Sequence, residues 1–523
     1  MNELKDLDQN RTPLFDAIKK FSTWDPAPFF IPAHKMGKGI DPRLIDFVGE
    51  NVFRMDLSEV RWTDDYHGAS SSILEAEELA AAAWGAARTR FLVNGTSSGI
   101  IAAICGVCGE GDEIIVPRNV HKSVVHGLVV SGAVPVYVNP EVNVSGGLVG
   151  GLDPDALAAA LEAHPNAKAV FAISPTYHGV ISDLRRLTEL AHERCIPIIV
   201  DEAHGNHDYF SDRLPMGALD FDCDIVCQST HKMSGSLTQS SMIHIGKGAE
   251  ESGRVDFERI NMGLGLMQST SPSYLLLASL DLARSYIATE GERILNAVMD
   301  ALNEARAEIA DIPGVSVLGS ELRGTYSIYD YEPMRLVITA FNLRLSGYEL
   351  FKLLREDYGV EPEFGDPIYC ICVAGLGTER AHVQKLVSAL KDISSKYTSG
   401  SNLSVGDGEG FRRVNRNDNQ TSWCDKQSSL AEAPANSSLA GLPPMVMTPR
   451  QAWFAPKERI PFGEAKGRIS GELVVPYPPA IPALCPGESI TPEIYDLLCL
   501  RKKERCHLHC SAGDSLETLL VVR

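Results

Sequence analysis

Between Ile73 and Ser229 short apolar runs alternate with helix-like stretches, and this alternation restricts the chain more than any other feature of its sequence. The runs "RFLVN", "EIIVP", "VPVYV", "AVFAISP", "IPIIVDEAH" and "DIVCQS" are rich in β-branched residues and end in polar or turn residues. Between them lie helix candidates such as "ILEAEELAAAAWGA", "IIAAICGVC" and "DLRRLTELAHER". Strand and helix in alternation build a mostly parallel sheet covered on both faces. In such sheets ligands bind outside the carboxyl ends of the strands, so the loops after these runs are the places to look for chemistry.

Three of those loops are unusual. "NGTSSG", Asn94 to Gly99, joins a strand to a helix with small residues and hydroxyls that can approach and bind an anion, although a Ser/Thr helix cap has the same composition. "IIVDEAHG" ends an apolar strand on Asp201, a carboxylate that is costly to bury without a cationic partner. "QSTHKMSGSL" places His231 and Lys232 after another apolar strand, in what reads as a loop, and a partly desolvated lysine becomes a nucleophilic amine. An anion site, a strand-end carboxylate and an amine together meet the demands of pyridoxal phosphate (PLP): a seat for its phosphate, a partner for its ring nitrogen and a nitrogen for its aldehyde.

The ordered set "NGTSSG", "RNVHKS", "SPTYHG", "VDEAHG", "QSTHK" and "QSTSPSY" resembles the fold-type I PLP-dependent ornithine/lysine/arginine decarboxylases, in their shorter bacterial form. "FFIPAHKMGKG" is similar to that family's N-terminal P-G-H-K-x-G segment, and "VPYPPAIPALCPGE" to its C-terminal signature. The resemblance implies a large domain of the aspartate aminotransferase-like α/β fold, a smaller α/β domain and a C-terminal α+β domain. It divides the chain into an N-terminal arm (1–70), a PLP-binding domain (71–290), a small domain (291–397), a polar linker or disordered insert (398–444) and a C-terminal decarboxylase domain (445–523).

Residue by residue, the resemblance makes Lys232 the Schiff-base lysine, Asp201 the partner of the ring nitrogen and His121 the imidazole against the ring. His231 shapes the reacting face. Thr96, Ser97 and Ser229 bind the phosphate, Ala203 and His204 lie beside the ring and its hydroxyl, and Ser269 reaches the phosphate of a neighbouring subunit. A homodimer, or a higher homo-oligomer with shared active sites, follows. The implied reaction is decarboxylation of a basic L-amino acid, arginine first and then lysine or ornithine, to agmatine, cadaverine or putrescine and carbon dioxide, within polyamine biosynthesis. Lys232 or His231 then protonates the α-carbon.

A basic side chain needs an acidic partner. "VEPEFGD" offers Glu361, Glu363 and Asp366, and the family's E-x-x-D spacing selects Glu363 and Asp366, with Glu488 of the C-terminal signature as a further candidate. Arg344 supports a rival reading, an aminotransferase or eliminating lyase on the same fold, in which an arginine holds the substrate carboxylate. A catalytically inactive regulatory homologue is the other rival. Ala33 and Ala480 stand where the family has glycine, so a positive backbone φ at either position would be strained.

Composition narrows the partners. A formal net charge of -20 argues against nucleic acid, which needs clustered cations. No run of about 18 apolar residues predicts a membrane span, and "MNELKDLDQNRTP" has no apolar stretch of a secretory signal, so a cytoplasmic location is expected. The 12 cysteines lie mostly in apolar segments and read as reduced thiols. "CHLHC", Cys506 to Cys510, lacks a second pair at zinc-finger spacing, so no metal is expected.

Overall fold

The computed structural model describes residues 7–143, 147–398, 442–477, 481–504, 506–511, 513 and 515–523. Most of the polar insert (399–441) and Ala480 lie outside the described residues.

The central sheet contains β1 (Arg88–Leu92), β2 (Glu113–Pro117), β3 (Val134–Val138), β4 (Ala169–Ile173), β5 (Ile198–Asp201), β6 (Ile225–Gln228) and β7 (Ser241–Ile245), in spatial order β1-β7-β6-β5-β4-β2-β3. All neighbours from β6 to β3 are parallel, while β7 runs antiparallel to both β6 and β1. Side-chain alternation sends Ile198 and Val200 into one apolar layer and Ile199 into the other, so both faces of the strand are packed. Each such fully buried side chain contributes about 1.5–3 kcal/mol. The sheet is therefore a stiff platform, and β5 and β6 deliver Asp201 and Ser229 to its carboxyl edge.

Helix α1 (Gly95–Val107) follows β1, and α2 (Lys122–Ser131) follows β2. The segment after β6, expected as a loop, is instead a single helical turn, α3 (Thr230–Met233), capped by Ser229. Helix α4 (Tyr274–Ala310) runs unbroken for 37 residues. Its first half packs with the N-terminal region through Leu277, Leu280 and Ile287, and its second half enters the core of the smaller unit through Leu295, Leu302 and Ile309.

The smaller unit's sheet comprises β8 (Ser316–Val317), β9 (Arg335–Thr339), β10 (Phe364–Gly365) and β11 (Cys370–Val373), ordered β8-β9-β11-β10 and antiparallel throughout. A C-terminal unit pairs Lys457–Pro461 with Thr518–Val522 and Val475–Tyr477 with His507–His509 around Leu484, Leu498 and Leu519. It is tied to the central sheet by Arg118, which directly follows β2. In the "PAHKMGKG" segment of the N-terminal arm the positive φ angles fall at Lys35, Met36 and Gly37, not at Ala33, so the alanine there carries no left-handed strain. No helix among the described residues is long and apolar enough to cross a membrane.

Candidate active site

A cavity of about 380 Å³ opens at the carboxyl ends of the parallel strands, within the size range of cofactor sites. Its floor comes from the large sheet and its roof from Tyr348 and Pro367 of the smaller unit and Pro476, Ile481, Arg501 and Cys506 of the C-terminal unit. Into it project Thr96, Ser97, His121, Asp201, Ala203, His204, Ser229, His231 and Lys232. Thus residues spread over 137 positions of sequence converge because the strands that carry them lie side by side.

The hydroxyl-rich side begins at Gly95, whose φ of 76° is available to glycine at little cost. This turn aims the start of the 13-residue α1 at the cavity, where free N–H groups and the positive end of the helix dipole favour an anion. Thr96 Oγ1 lies 2.6 Å from Ser229 Oγ and 2.9 Å from Ser241 Oγ, a buried hydroxyl cluster linking α1 to the ends of β6 and β7. Ser97 is exposed to the cavity side.

Opposite this anion site stand the carboxylate and the amine. Asp201 is 6 % exposed and its Oδ1 accepts the Ala203 N–H at 3.1 Å. Burial pushes its carboxyl up, and the nearby Lys232 charge pulls it back. Burial likewise pushes the Lys232 amine down, with Asp201 and Glu363 opposing and Arg335 reinforcing. Lys232 Nζ sits 3.1 Å from His204 Nε2 and 5.2 Å above the ring of Tyr177.

His121 and His231 each have one ring nitrogen committed, and His204 has both. His121 caps α2: its Nδ1 accepts the Ser123 N–H at 3.2 Å, and burial with Lys232 nearby pushes its pKa down to about 3, so the ring is neutral. His231 Nδ1 faces the Ser240 carbonyl at 2.7 Å and must donate to it, which leaves Nε2 as its site of proton exchange. His204 is buried between Lys232 and Arg335, and burial first, then those two cations, hold its pKa well below the ordinary histidine value.

Of the remaining expected substrate and phosphate residues, Asp366 lines the cavity, Glu488 and Glu363 do not, and Ser269, expected at a neighbouring subunit's phosphate, lies away from its own chain's cavity. Glu488 does not line the cavity: it is 1 % exposed, pairs with Arg118 at 3.0 Å and accepts the Cys485 N–H, so its carboxylate docks the C-terminal unit instead of binding substrate. Asp366 lines the cavity, but Oδ2 meets His178 Nε2 at 2.9 Å and Oδ1 accepts N–H groups of Ile368 and Tyr369. Glu363 is exposed and outside the cavity lining, yet its charge is felt at Lys232. Ser269 is exposed and away from its own chain's cavity, with its carbonyl facing His67 Nε2 at 3.0 Å.

Arg344, the residue behind the aminotransferase reading, is exposed in a left-handed turn and does not line the cavity. Among the described residues the group spaced to hold a metal ion is His207, Asp208 and Glu332, not the "CHLHC" tail. Sequence reasoning missed Tyr177, although it lies in the quoted "SPTYHG", and Arg335, a cation opening an apolar strand with no motif around it. The donor set suits PLP: the hydroxyls and N–H groups match a phosphate, the desolvated Asp201 a protonated ring nitrogen, and the amine of lowered pKa an aldehyde.

The similarity to known proteins extends over nearly the whole chain. Residues 12–336 match the family model for the Orn/Lys/Arg decarboxylase major domain, and residues 432–505 that for the C-terminal domain. The chain is 38% identical to the arginine decarboxylase of Bacillus subtilis, covering 93% of each. It is 37% identical to the arginine decarboxylase of Halalkalibacterium halodurans, covering 98% of each. The lysine decarboxylase LdcF of Francisella novicida shares the fold with a TM-score of 0.79 at 20% identity, over 98% of this chain and 81% of that one.

Proposed function

The chain belongs to the Orn/Lys/Arg decarboxylase family, a group of decarboxylases of basic amino acids, and we propose that its reaction is the decarboxylation of arginine to agmatine and carbon dioxide with PLP as cofactor. The observation that carries this reading is Lys232, a desolvated amine sharing one cavity with the buried Asp201 and the hydroxyl-lined start of α1. The choice of arginine is supported by the relatives bearing that name at 36–38% identity over nearly the whole chain.

In this reading Thr96, Ser97, Ser229 and the first N–H groups of α1 hold the phosphate, Asp201 holds the ring nitrogen's proton, and His121, Ala203 and His204 flank the ring. When bound, PLP joins its aldehyde to an amine and supplies a protonated ring that takes up the electron pair left as carbon dioxide departs. The chain does the rest. Apolar walls such as Ile100, Ile173 and Ile481 disfavour a charged carboxylate in the cavity. Lys232, or His231 through Nε2, delivers a proton to the α-carbon. With Asp366 engaged by His178, Glu363 is the carboxylate we assign to the distal guanidinium, for which a bidentate pair is available to arginine but not to lysine.

The proposal includes a homodimer, in which Ser269 serves the partner's phosphate site. Beside Ser269 the helix Phe257–Met267 leaves Met262 and Leu266 72% and 74% exposed, an apolar surface suited to a second copy. We place the enzyme in the cytoplasm, in polyamine biosynthesis. The test is a mass-spectrometric product assay of PLP-loaded protein given equal arginine, lysine and ornithine. Agmatine as the dominant product is expected; cadaverine or putrescine would overturn the substrate, and no amine would overturn the reaction. Borohydride reduction with peptide mapping should place the pyridoxyl adduct on Lys232.

A further inference from the structure

Arg335 opens β9 in the smaller unit, yet it is wholly buried against the large sheet's catalytic edge. Its Nη2 lies 2.7 Å from His204 Nδ1, and its Nη1 reaches the sulfur of Met233, the residue next to Lys232, at 3.4 Å. Gly179, at φ 83°, makes room for this side chain: a Cβ there would stand 3.1 Å from Arg335 Cγ. Burial pulls the pKa of the guanidinium down, and the Glu332 carboxylate behind it opposes that shift.

A guanidinium donates and has no lone pair to offer. His204 Nδ1 is therefore an acceptor and carries no proton, and since the ring is neutral, its hydrogen is on Nε2. That Nε2–H is aimed at Lys232 Nζ 3.1 Å away. An ammonium has three donors and no acceptor, so this contact is a hydrogen bond only when Lys232 is a neutral amine.

We propose that Arg335 is a positioning residue for the decarboxylation: by donating to Nδ1 it fixes His204 as the Nε2–H tautomer, and that tautomer in turn selects the neutral form of Lys232. Every other charged or titratable neighbour is accounted for. Asp201, Glu363 and the ring face of Tyr177 favour the ammonium, burial and Arg335 oppose it, His121 and His204 are neutral, and His231 is tied to Ser240. Asp201 favours the charged, unreactive form of Lys232; burial first, and then the Arg335–His204 pair, work against it. The inference rests on the Lys232 role proposed above.

The test uses the cofactor-free full chain, so that it reads the amine and not turnover. Nitrogen-15 spectra of histidine-labelled protein, with the His204 signals identified by their loss in His204→Gln, should show a bare Nδ1 and a protonated Nε2. In parallel, competitive acetylation with acetic anhydride followed by peptide mass spectrometry gives the reactivity of Lys232 against pH. Arg335→Met, which removes donor and charge, should lower Lys232 labelling at pH 8 by about tenfold, one unit of upward pKa shift, and abolish the single tautomer. Arg335→Lys should restore both toward wild type, which a merely structural role would not require. An Nδ1–H tautomer in the wild-type protein overturns the proposal, whether or not Arg335→Met folds, as does a folded Arg335→Met with unchanged labelling. Agmatine production together with the wrong tautomer refutes this inference alone, whereas the expected tautomer without any amine product refutes the decarboxylation reading and leaves the Arg335–His204–Lys232 relay standing.

Discussion

Replacing Arg118 by methionine isolates what holds the C-terminal unit, and with it part of the cavity roof, against the central sheet. The guanidinium is committed to that unit: Nη1 donates to the Pro482 carbonyl at 2.7 Å and Nη2 to Glu488 at 3.0 Å. A further approach to the Ala483 carbonyl, at 3.5 Å, adds little at that distance. Methionine retains much of the stem but leaves Glu488 as an uncompensated buried charge, and removing one partner of a buried pair costs about 3–5 kcal/mol. Glu488 can relieve this by taking up a proton, because burial already pushes its carboxyl up and Arg118 is the main influence pulling it down. A carboxyl that binds its proton more tightly folded than unfolded loses stability as pH rises through the shifted range, so the defect should deepen with increasing pH and shrink in acid. Native-state hydrogen exchange at the Cys485 amide, which donates to Glu488 at 2.6 Å, is the assay. At neutral pH the exchange should accelerate between about a hundredfold and a few thousandfold, since each factor of ten is about 1.4 kcal/mol. Adding Glu488→Gln to Arg118→Met should recover at least about 1 kcal/mol by removing the stranded charge. An Arg118→Met rate within about threefold of wild type from about pH 6 to 8, or a double variant no better than the single one, would refute the reasoning.

Asp201→Asn should reduce amine formation by about a hundredfold or more while leaving the fold intact, judged by circular dichroism, because it removes the buried carboxylate assigned to the ring nitrogen's proton. His244 is fully buried between Thr89 and Gln228, and burial holds its pKa at about 3. The unfolded chain binds that proton near 6.5, so stability should fall as pH drops from about 6.5 toward 3, by no more than about 5 kcal/mol from this group; acid denaturation curves of His244→Gln should be flatter over that window. Gly179→Ala combines a left-handed backbone with a contact on the Arg335 stem and should cost about 1–3 kcal/mol in urea unfolding, with lower activity in the surviving folded protein.

The strand-end loops were legible because a fully buried parallel strand leaves a continuous apolar run, and the first polar residue after it marks the sheet's carboxyl edge: Asp201 and Ser229 stand there as read. β7 was not legible. Its "SMIHI" has Ser241 and His244 at buried positions, and these are acceptable inside only because Thr96, Thr89 and Gln228, far away in sequence, bond to them. Glu488 misled for a related reason: a carboxylate in a signature segment says nothing about its partner, and the partner, Arg118, lies 370 residues away. Arg335 left no local trace at all, since what defines it is the space made by Gly179 and the ring nitrogen of His204.

Helix α4 makes the molecule a lever. At about 1.5 Å per residue its 37 residues form a rod of roughly 55 Å, with one half clamped in the N-terminal core and the other in the smaller unit. It starts at Tyr274, five residues after Ser269, where a second copy is proposed to sit. One degree of tilt there displaces the far end by about 1 Å, more than a third of the 2.7 Å separating Arg335 Nη2 from His204 Nδ1. In the proposed dimer, a displacement at the contact between copies would be carried along this rod to the unit that holds Arg335.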